Sequence, residues 1–227
     1  MNKLSAIVPM LNEAATIAIT LDALRCGAPD AEIIVVDGGS TDASVAIARP
    51  LSDELIVAAR GRARQMNAGA RASQGDALVF VHADTMVPST FGADIASALS
   101  DRAVAGGRFD VELDASALPY RIIGAMISLR SRISRTGTGD QAIFVRRDVF
   151  DRLGGFPKLE LCEDLEFSRR LKRAGRVACL RARVTTSARR WSRDGVVRTV
   201  VRMWLIRAMY LMGVPPARLK RMYSDTR

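Results

Sequence analysis

Residues 32–42 read Glu-Ile-Ile-Val-Val-Asp-Gly-Gly-Ser-Thr-Asp. Four aliphatic residues in a row, closed by a charge at each end, predict a short strand over Glu32–Val36 covered on both faces. Asp37 leaves that strand directly into a double-glycine turn, where Gly38 and Gly39 permit positive φ and close approach of backbone to a ligand. A carboxylate placed there can accept hydrogen bonds from a base or a ribose. Taken alone, the same string also serves as a helix-capping turn, with Ser40 or Asp42 capping a helix over Ala43–Arg49.

Outward from this stretch the pattern repeats. Ser5–Pro9 predicts a strand followed by an amphipathic helix over Glu13–Arg25. Leu55–Ala58 and Ala77–Val81 predict strands, Arg60–Ala72 a helix, and Pro88 stands where it opens a helix reaching Leu99. Strands alternating with helices predict a mostly parallel sheet with helices on both faces, whose ligands bind at the carboxyl ends of the strands. Two more strand ends carry chemistry: Pro9-Met10-Leu11-Asn12-Glu13 and His82-Ala83-Asp84-Thr85. The Asp84 carboxylate suits Mg2+ or Mn2+ bridging a diphosphate. His82 reads equally as a neutral imidazole ligand or as a hydrogen-bonded core residue.

Composition narrows the class. The chain has 227 residues, 48% of them apolar and 26% charged, enough for a real core. No apolar run reaches the roughly 18 residues of a spanning helix, and the N-terminal stretch is too short for a signal peptide. Cys26, Cys162 and Cys179 fit neither a disulfide framework nor a zinc pattern, and a single histidine removes any multi-histidine metal site. A reduced, cytoplasmic protein is expected. Charge is unevenly placed: residues 1–110 sum to −4 and residues 111–227 to +14. A basic C-terminal third suits an anionic partner or is a solvated surface.

In the second half, Ala105–Leu113 predicts a strand, Leu118–Ser134 a helix and Ala142–Val145 a strand. The loop Gly137-Thr-Gly-Asp-Gln-Ala142 formally matches a dinucleotide fingerprint, but a helix precedes it and a strand follows, so that reading is rejected. Glu163-Asp164 opens a helix over Glu163–Ala174. The pair either complements the helix dipole or supplies a general base. Arg189-Arg190-Trp191 offers bidentate phosphate donors beside a flat ring, or a structural anchor for the last helix. That helix, about Gly195–Met212, is apolar nearly all round; Arg198 and Arg202 share one face and Arg207 lies opposite. It suits packing on the domain, dimerisation, or lying in a membrane interface.

The strings VPMLNEA, VVDGGSTD, GRARQMNAGA and VFVHADT, followed in order by GTGDQ, GGFP, CED and ARRW, resemble the family-2 glycosyltransferases. The resemblance covers nearly the whole chain and is nearest to a compact bacterial subfamily, some members of which are described as arsenosugar or radical-SAM-associated glycosyltransferases. It implies the α/β GT-A fold: a Rossmann-like, mostly parallel sheet flanked by helices, with a C-terminal helical extension. It further implies a catalytic domain over 1–190, divided into a nucleotide-sugar half (1–110) and an acceptor and base half (111–190), with a basic helical extension over 191–227. By this resemblance Pro9, Asn12, Glu13, Asp37, Gly39, Arg60, Arg64, Asn67, His82, Ala83 and Asp84 line the nucleotide-sugar pocket. Asp84 holds the metal, Mg2+ or Mn2+; where the family usually reads Asp-x-Asp, this chain reads His82-Ala83-Asp84. Gly139, Asp140, Gln141, Arg189, Arg190 and Trp191 shape the acceptor and diphosphate region. Asp164 is the implied base, with Glu163 as second choice.

The implied function is inverting, metal-assisted transfer of a sugar from a nucleoside-diphosphate sugar, UDP-sugar first, to an unidentified hydroxyl acceptor. Peripheral contact with the inner face of the membrane or a homodimer through the last helix would fit. A sugar-phosphate nucleotidyltransferase would place a glycine-rich basic loop after the first strand, where this chain reads PMLNEAAT. A nucleic-acid binder would interleave aromatic with basic residues, yet aromatics are 5% of the chain, and no nucleic-acid partner is expected.

Overall fold

The computed structural model describes residues 3–220; the last residues of the expected extension lie outside them. Four strands, β1 (Leu4–Met10), β2 (Glu32–Asp37), β3 (Glu54–Val57) and β4 (Ala77–Phe80), pair in parallel in the order β3-β2-β1-β4. Helices α1 (Ile17–Gly27), α2 (Ser44–Ala48) and α3 (Arg62–Ala72) connect them. Every residue of β1 is buried, because helices cover both faces of the sheet. Alternation along β1 sends Ala6, Val8 and Met10 into one apolar cluster with α1, and Ile7 into the other with α3. Gly69 lets α3 lie directly on β1: a Cβ there would stand 2.5 Å from Ile7 Cγ2.

The sheet continues beyond β4 with a change of direction. β5 (Thr85–Met86) and α4 (Phe91–Ser100) lead to β6 (Val104–Leu113), α5 (Leu118–Ser134), β7 (Ile143–Arg146) and α6 (Arg147–Arg152). β7 inserts antiparallel between β4 and β6. After α7 (Glu163–Ala174), β8 (Arg176–Thr186) runs parallel to β6 and completes an eight-stranded sheet, order β3-β2-β1-β4-β7-β6-β8-β5. The parallel half and its helices follow the sequence expectation. β8 does not appear in that expectation, because its arginines merge with the basic tail; apolar residues alternate with them along RVACLRARVTT.

The described residues end in α8 (Arg189–Asp194), α9 (Val196–Leu211) and α10 (Pro216–Lys220). Trp191 packs with Leu113, Ile123 and Ala188, which seats α8 and the start of α9 on α5. Ile206 and Leu219 pack on Leu161, just before α7. One face of α9 is therefore buried on the domain, while Val197, Val201, Trp204 and Leu205 stay exposed. No helix among the described residues is long and apolar enough to cross a membrane.

Candidate functional site

The ends of β1 and β4 meet the start of α8. α1 begins at Ile17 rather than Glu13, because Glu13 O closes a turn by accepting from the amides of Thr16 and Ile17. That turn leaves the Glu13 side chain, 4% exposed, facing a cleft of about 350 Å3. Arg189 Nη2 donates to Glu13 Oε2 at 2.6 Å and to Asp84 Oδ2 at 3.2 Å. Burial lowers the guanidinium's proton affinity, but the hydrogen bonds and charges of Glu13 and Asp84 outweigh it and raise the pKa.

Among the described residues no three His, Cys, Asp or Glu side chains cluster as a metal cage. Asp84 nonetheless projects a part-exposed carboxylate into the cleft, already facing a cation, the Arg189 guanidinium. One carboxylate with open space beside it fits a divalent ion that takes its remaining ligands from phosphate and water.

The second wall comes from the loop before β7 and the first turn of α7. The Gly139 amide donates to Asp164 Oδ2 at 2.8 Å, and the Leu165 amide donates to Oδ1 at 2.6 Å. His82 lies against Gly139, where an added Cβ would stand 2.5 Å from Nε2. Thr138 donates to Asp140, whose pKa is raised, first by burial and also by the Asp164 charge. Cys162 precedes Glu163 with φ +65°, a left-handed conformation that is costly for a side chain of this type and turns the chain into α7. Burial and then the neighbouring carboxylates push its thiol up to about 12, which leaves it un-ionised.

Glu13, His82, Asp84, Gly139, Asp140, Glu163, Asp164, Arg189, Arg190 and Trp191 all line this one cleft. Arg60 and Arg64 instead line a neighbouring hollow of about 310 Å3 with Gly61 and Lys158; Arg62 borders both. Asp37 is 3% exposed, and its carboxylate accepts from the amides of Gly39 and Ser40 and from Ser40 Oγ. Asn12, at φ 52°, is tied to the same turn: its amide donates to Ser40 Oγ and its Oδ1 accepts from the Thr41 amide. The turn thus holds itself together, with the Asp42 carboxylate accepting from the Ser44 amide inside the start of α2.

Besides the Asp37 turn and the Arg60 and Arg64 hollow, four more expected site residues lie outside the cleft. The Asn67 amide is spent on both backbone groups of Phe156, clamping α3 to the loop after α6. Gln141 is fully buried, donating to Phe109 O and accepting from the Thr138 amide. Ala83 is buried, its carbonyl accepting from Thr20 Oγ1, and Pro9 is interior to β1. Each is a small or amide side chain committed to scaffold contacts, so none reaches the cleft.

Arg130 of α5 and Arg207 of α9 also line the cleft and were not among the expected residues. A signal for Arg207 lay in its helical position, opposite Arg198 and Arg202. Arg130 carried none, because the face of α5 that meets the cleft is set by packing.

The family model for glycosyl transferase family 2 matches residues 5–154. The chain belongs to that family. A relative named "PGL/p-HBAD biosynthesis glycosyltransferase", from Mycobacterium bovis and Mycobacterium tuberculosis, is 30% identical over 171 residues, 67% of this chain and 62% of the relative. The chain thus spans under two thirds of the length of these curated relatives. Among solved structures, S. aureus TarS in complex with UDP superposes with TM-score 0.66 at 20% identity, covering 82% of this chain and 60% of TarS. The mannosyltransferase PcManGT from Pyrobaculum calidifontis, in complex with GDP-Man and Mn2+, gives 0.68 at 20% identity, covering 97% and 67%. Both support the GT-A fold expected from sequence. None of these relatives points to the arsenosugar subfamily.

Proposed function

We propose that this chain is an inverting glycosyltransferase that uses a nucleoside-diphosphate sugar, UDP-sugar first, with Asp164 as general base. The observation that carries the reading is that Asp84, at a strand end, and Asp164, at a helix start, line one cleft together with Arg189 and Arg190 of α8. Family membership supports sugar transfer, and the neighbours solved with UDP and GDP-Man support a nucleotide-sugar donor.

In this reading the acceptor hydroxyl hydrogen-bonds to the Asp164 carboxylate, which takes its proton as the oxygen attacks the anomeric carbon. The new carbon–oxygen bond forms opposite the bond to the diphosphate, which breaks with its electron pair leaving on the nucleoside diphosphate. A single such displacement inverts the anomeric centre. The Gly139 and Leu165 amides fix this carboxylate, which lines the cleft. Arg189 and Arg190 would bind the departing diphosphate, and the turn around Asp37 would receive the nucleoside. Asp84 would hold Mg2+ or Mn2+, and a bound cation would supply Lewis-acid stabilisation of the leaving diphosphate.

The test is calorimetric titration with UDP, GDP, CDP and ADP, each with and without Mn2+. One nucleotide should bind, more tightly with Mn2+, and Asp84→Ala should lose the metal enhancement. A folded sample that binds none of the four overturns the reading.

A further inference from the structure

The cleft does not close beyond Asp164; it opens onto an apolar slope. Met126 of α5 and Trp204 of α9 line it and are 46% and 63% exposed. From them, apolar stripes run out along both helices, through Ile122 and Leu129 on one and Val201 and Leu205 on the other. Such a continuous exposed surface marks an apolar partner.

At the inner end of the slope two half-buried guanidinium groups converge. Arg130 reaches Thr138 Oγ1 with one nitrogen, while its Nε is buried without a hydrogen-bond partner. Arg207 reaches Thr136 Oγ1 at 3.1 Å. Burial and then the Arg130 charge lower the Arg207 pKa, outweighing the pull of Asp164. Two partly desolvated cations so placed carry a cost that an anion between them would relieve.

We infer that the acceptor is a single-chain amphiphile whose anionic head lies between Arg130 and Arg207 and whose apolar chain runs along the α5–α9 slope. This rests on the glycosyltransferase reading, since it names that enzyme's acceptor. The arginines lie inside the cleft beside Asp164, so a flat bilayer surface does not reach them. A second copy fits poorly, because α5 and α9 each carry three arginines and no acid, and a two-fold contact would set like charges together.

The test follows tryptophan fluorescence of the full chain titrated with dodecyl phosphate below its micelle concentration, against dodecanol and inorganic phosphate. Dodecyl phosphate should bind at least about tenfold more tightly than either, and Arg130→Gln or Arg207→Gln should remove about that factor, the scale of a lost charge-assisted hydrogen bond. Trp204→Ala, at an exposed position that leaves folding intact, should also weaken dodecyl phosphate, read by calorimetry. Equal binding of dodecanol overturns the anionic head, and equal binding of phosphate overturns the chain. Binding confined to phosphatidylglycerol vesicles overturns the cleft as the seat. Nucleoside diphosphate titrated into the same sample separates the two failures: intact nucleotide binding without amphiphile binding sinks this inference alone, and loss of both sinks the glycosyltransferase reading as well.

Discussion

The amide of Gly139 holds the carboxylate of Asp164 at 2.8 Å, joining the loop before β7 to the first turn of α7. The position of that carboxylate is thus tied to a loop beside which the His82 ring fills the space a side chain at Gly139 would need. Gly139→Ala must move either the ring or the loop. Displacing a reacting group by about 1 Å can cost 100-fold in rate, so nucleoside diphosphate release should fall by about that factor while the fold survives. His82→Ala in the same chain opens the space and should restore most of the loss. A double variant as slow as Gly139→Ala breaks the link between ring and loop.

Asp164→Asn keeps the shape of the side chain and one of its two backbone amide contacts, since its NH2 cannot accept the other, and it removes the proton acceptor. General-base catalysis is worth about 100- to 10,000-fold, so turnover should drop within that range. Nucleotide affinity, measured by calorimetry, should stay within about twofold, because other residues would hold the donor. Glu163→Gln, one position earlier, should cost far less. The reverse ranking would hand the role of base to Glu163.

Arg189 donates to Asp84 Oδ2, so a divalent cation held by Asp84 would compete with the guanidinium for that carboxylate. A hydrogen bond to a charged group is worth about 1.5–3 kcal/mol, so freeing Asp84 should tighten Mn2+ binding by about tenfold in the absence of nucleotide. Arg189→Ala titrated with Mn2+, with the free ion followed by electron paramagnetic resonance, checks this. The same variant should bind the nucleoside diphosphate more weakly, since it loses a phosphate donor. Unchanged Mn2+ affinity would mean that the two cations do not compete for the Asp84 carboxylate.

Burial holds the Asp140 carboxyl above its usual range, and the Asp164 charge adds to the effect. An acid whose folded pKa exceeds its unfolded value keeps its proton longer in the folded chain. Between the two values the folded state binds more protons, so stability falls as pH rises through that window. Asp140→Asn never ionises and still accepts from Thr138. It should be more stable than the parent at neutral pH, with the margin closing as pH falls toward about 3.9, the unfolded carboxyl value. Urea midpoints across pH 4–8 read this directly, and a margin that does not shrink toward acid contradicts it.

The parallel half of the fold was legible because its strands are short aliphatic runs bounded by charge, as in Ile33–Val36, and a buried parallel strand has no other pattern to show. β8 was not, since only two of its eleven residues are fully buried and its three exposed arginines read as tail. At the site, the sequence named the carboxylates and the arginine pair at α8 that line the cleft. It could not tell that Asn67 and Gln141 spend their amides on Phe156, Phe109 and Thr138, because a polar side chain committed to distant backbone looks the same in sequence as one facing a ligand. Arg130 and Arg207 escaped for the opposite reason: each is one arginine among many, distinguished only by how α5 and α9 pack.

The wall behind these helices is held by a buried ionic group. Arg108, 1% exposed on β6, pairs with Asp110, which also receives Arg132 from α5. Arg108 Nη2 adds a bond to Ser128 O, and Arg132 Nη1 one to Cys179 O, so β6, α5 and β8 meet at one carboxylate. Removing that carboxylate leaves Arg108 charged in the interior without its counter-ion, and breaking a buried pair in this way costs about 3–5 kcal/mol. Asp110→Ala should therefore lower the melting temperature by roughly 2–4 °C per kcal/mol, as expected for a chain of this size. Arg132→Ala removes only the more exposed partner and should cost no more than about 1 kcal/mol. If the two variants melt together, the carboxylate is not what balances Arg108. Because α5 also carries Arg130, loosening this anchor should weaken dodecyl phosphate binding in Asp110→Ala before the chain unfolds, and unaltered binding in the folded variant would show that the cleft keeps its shape without the anchor.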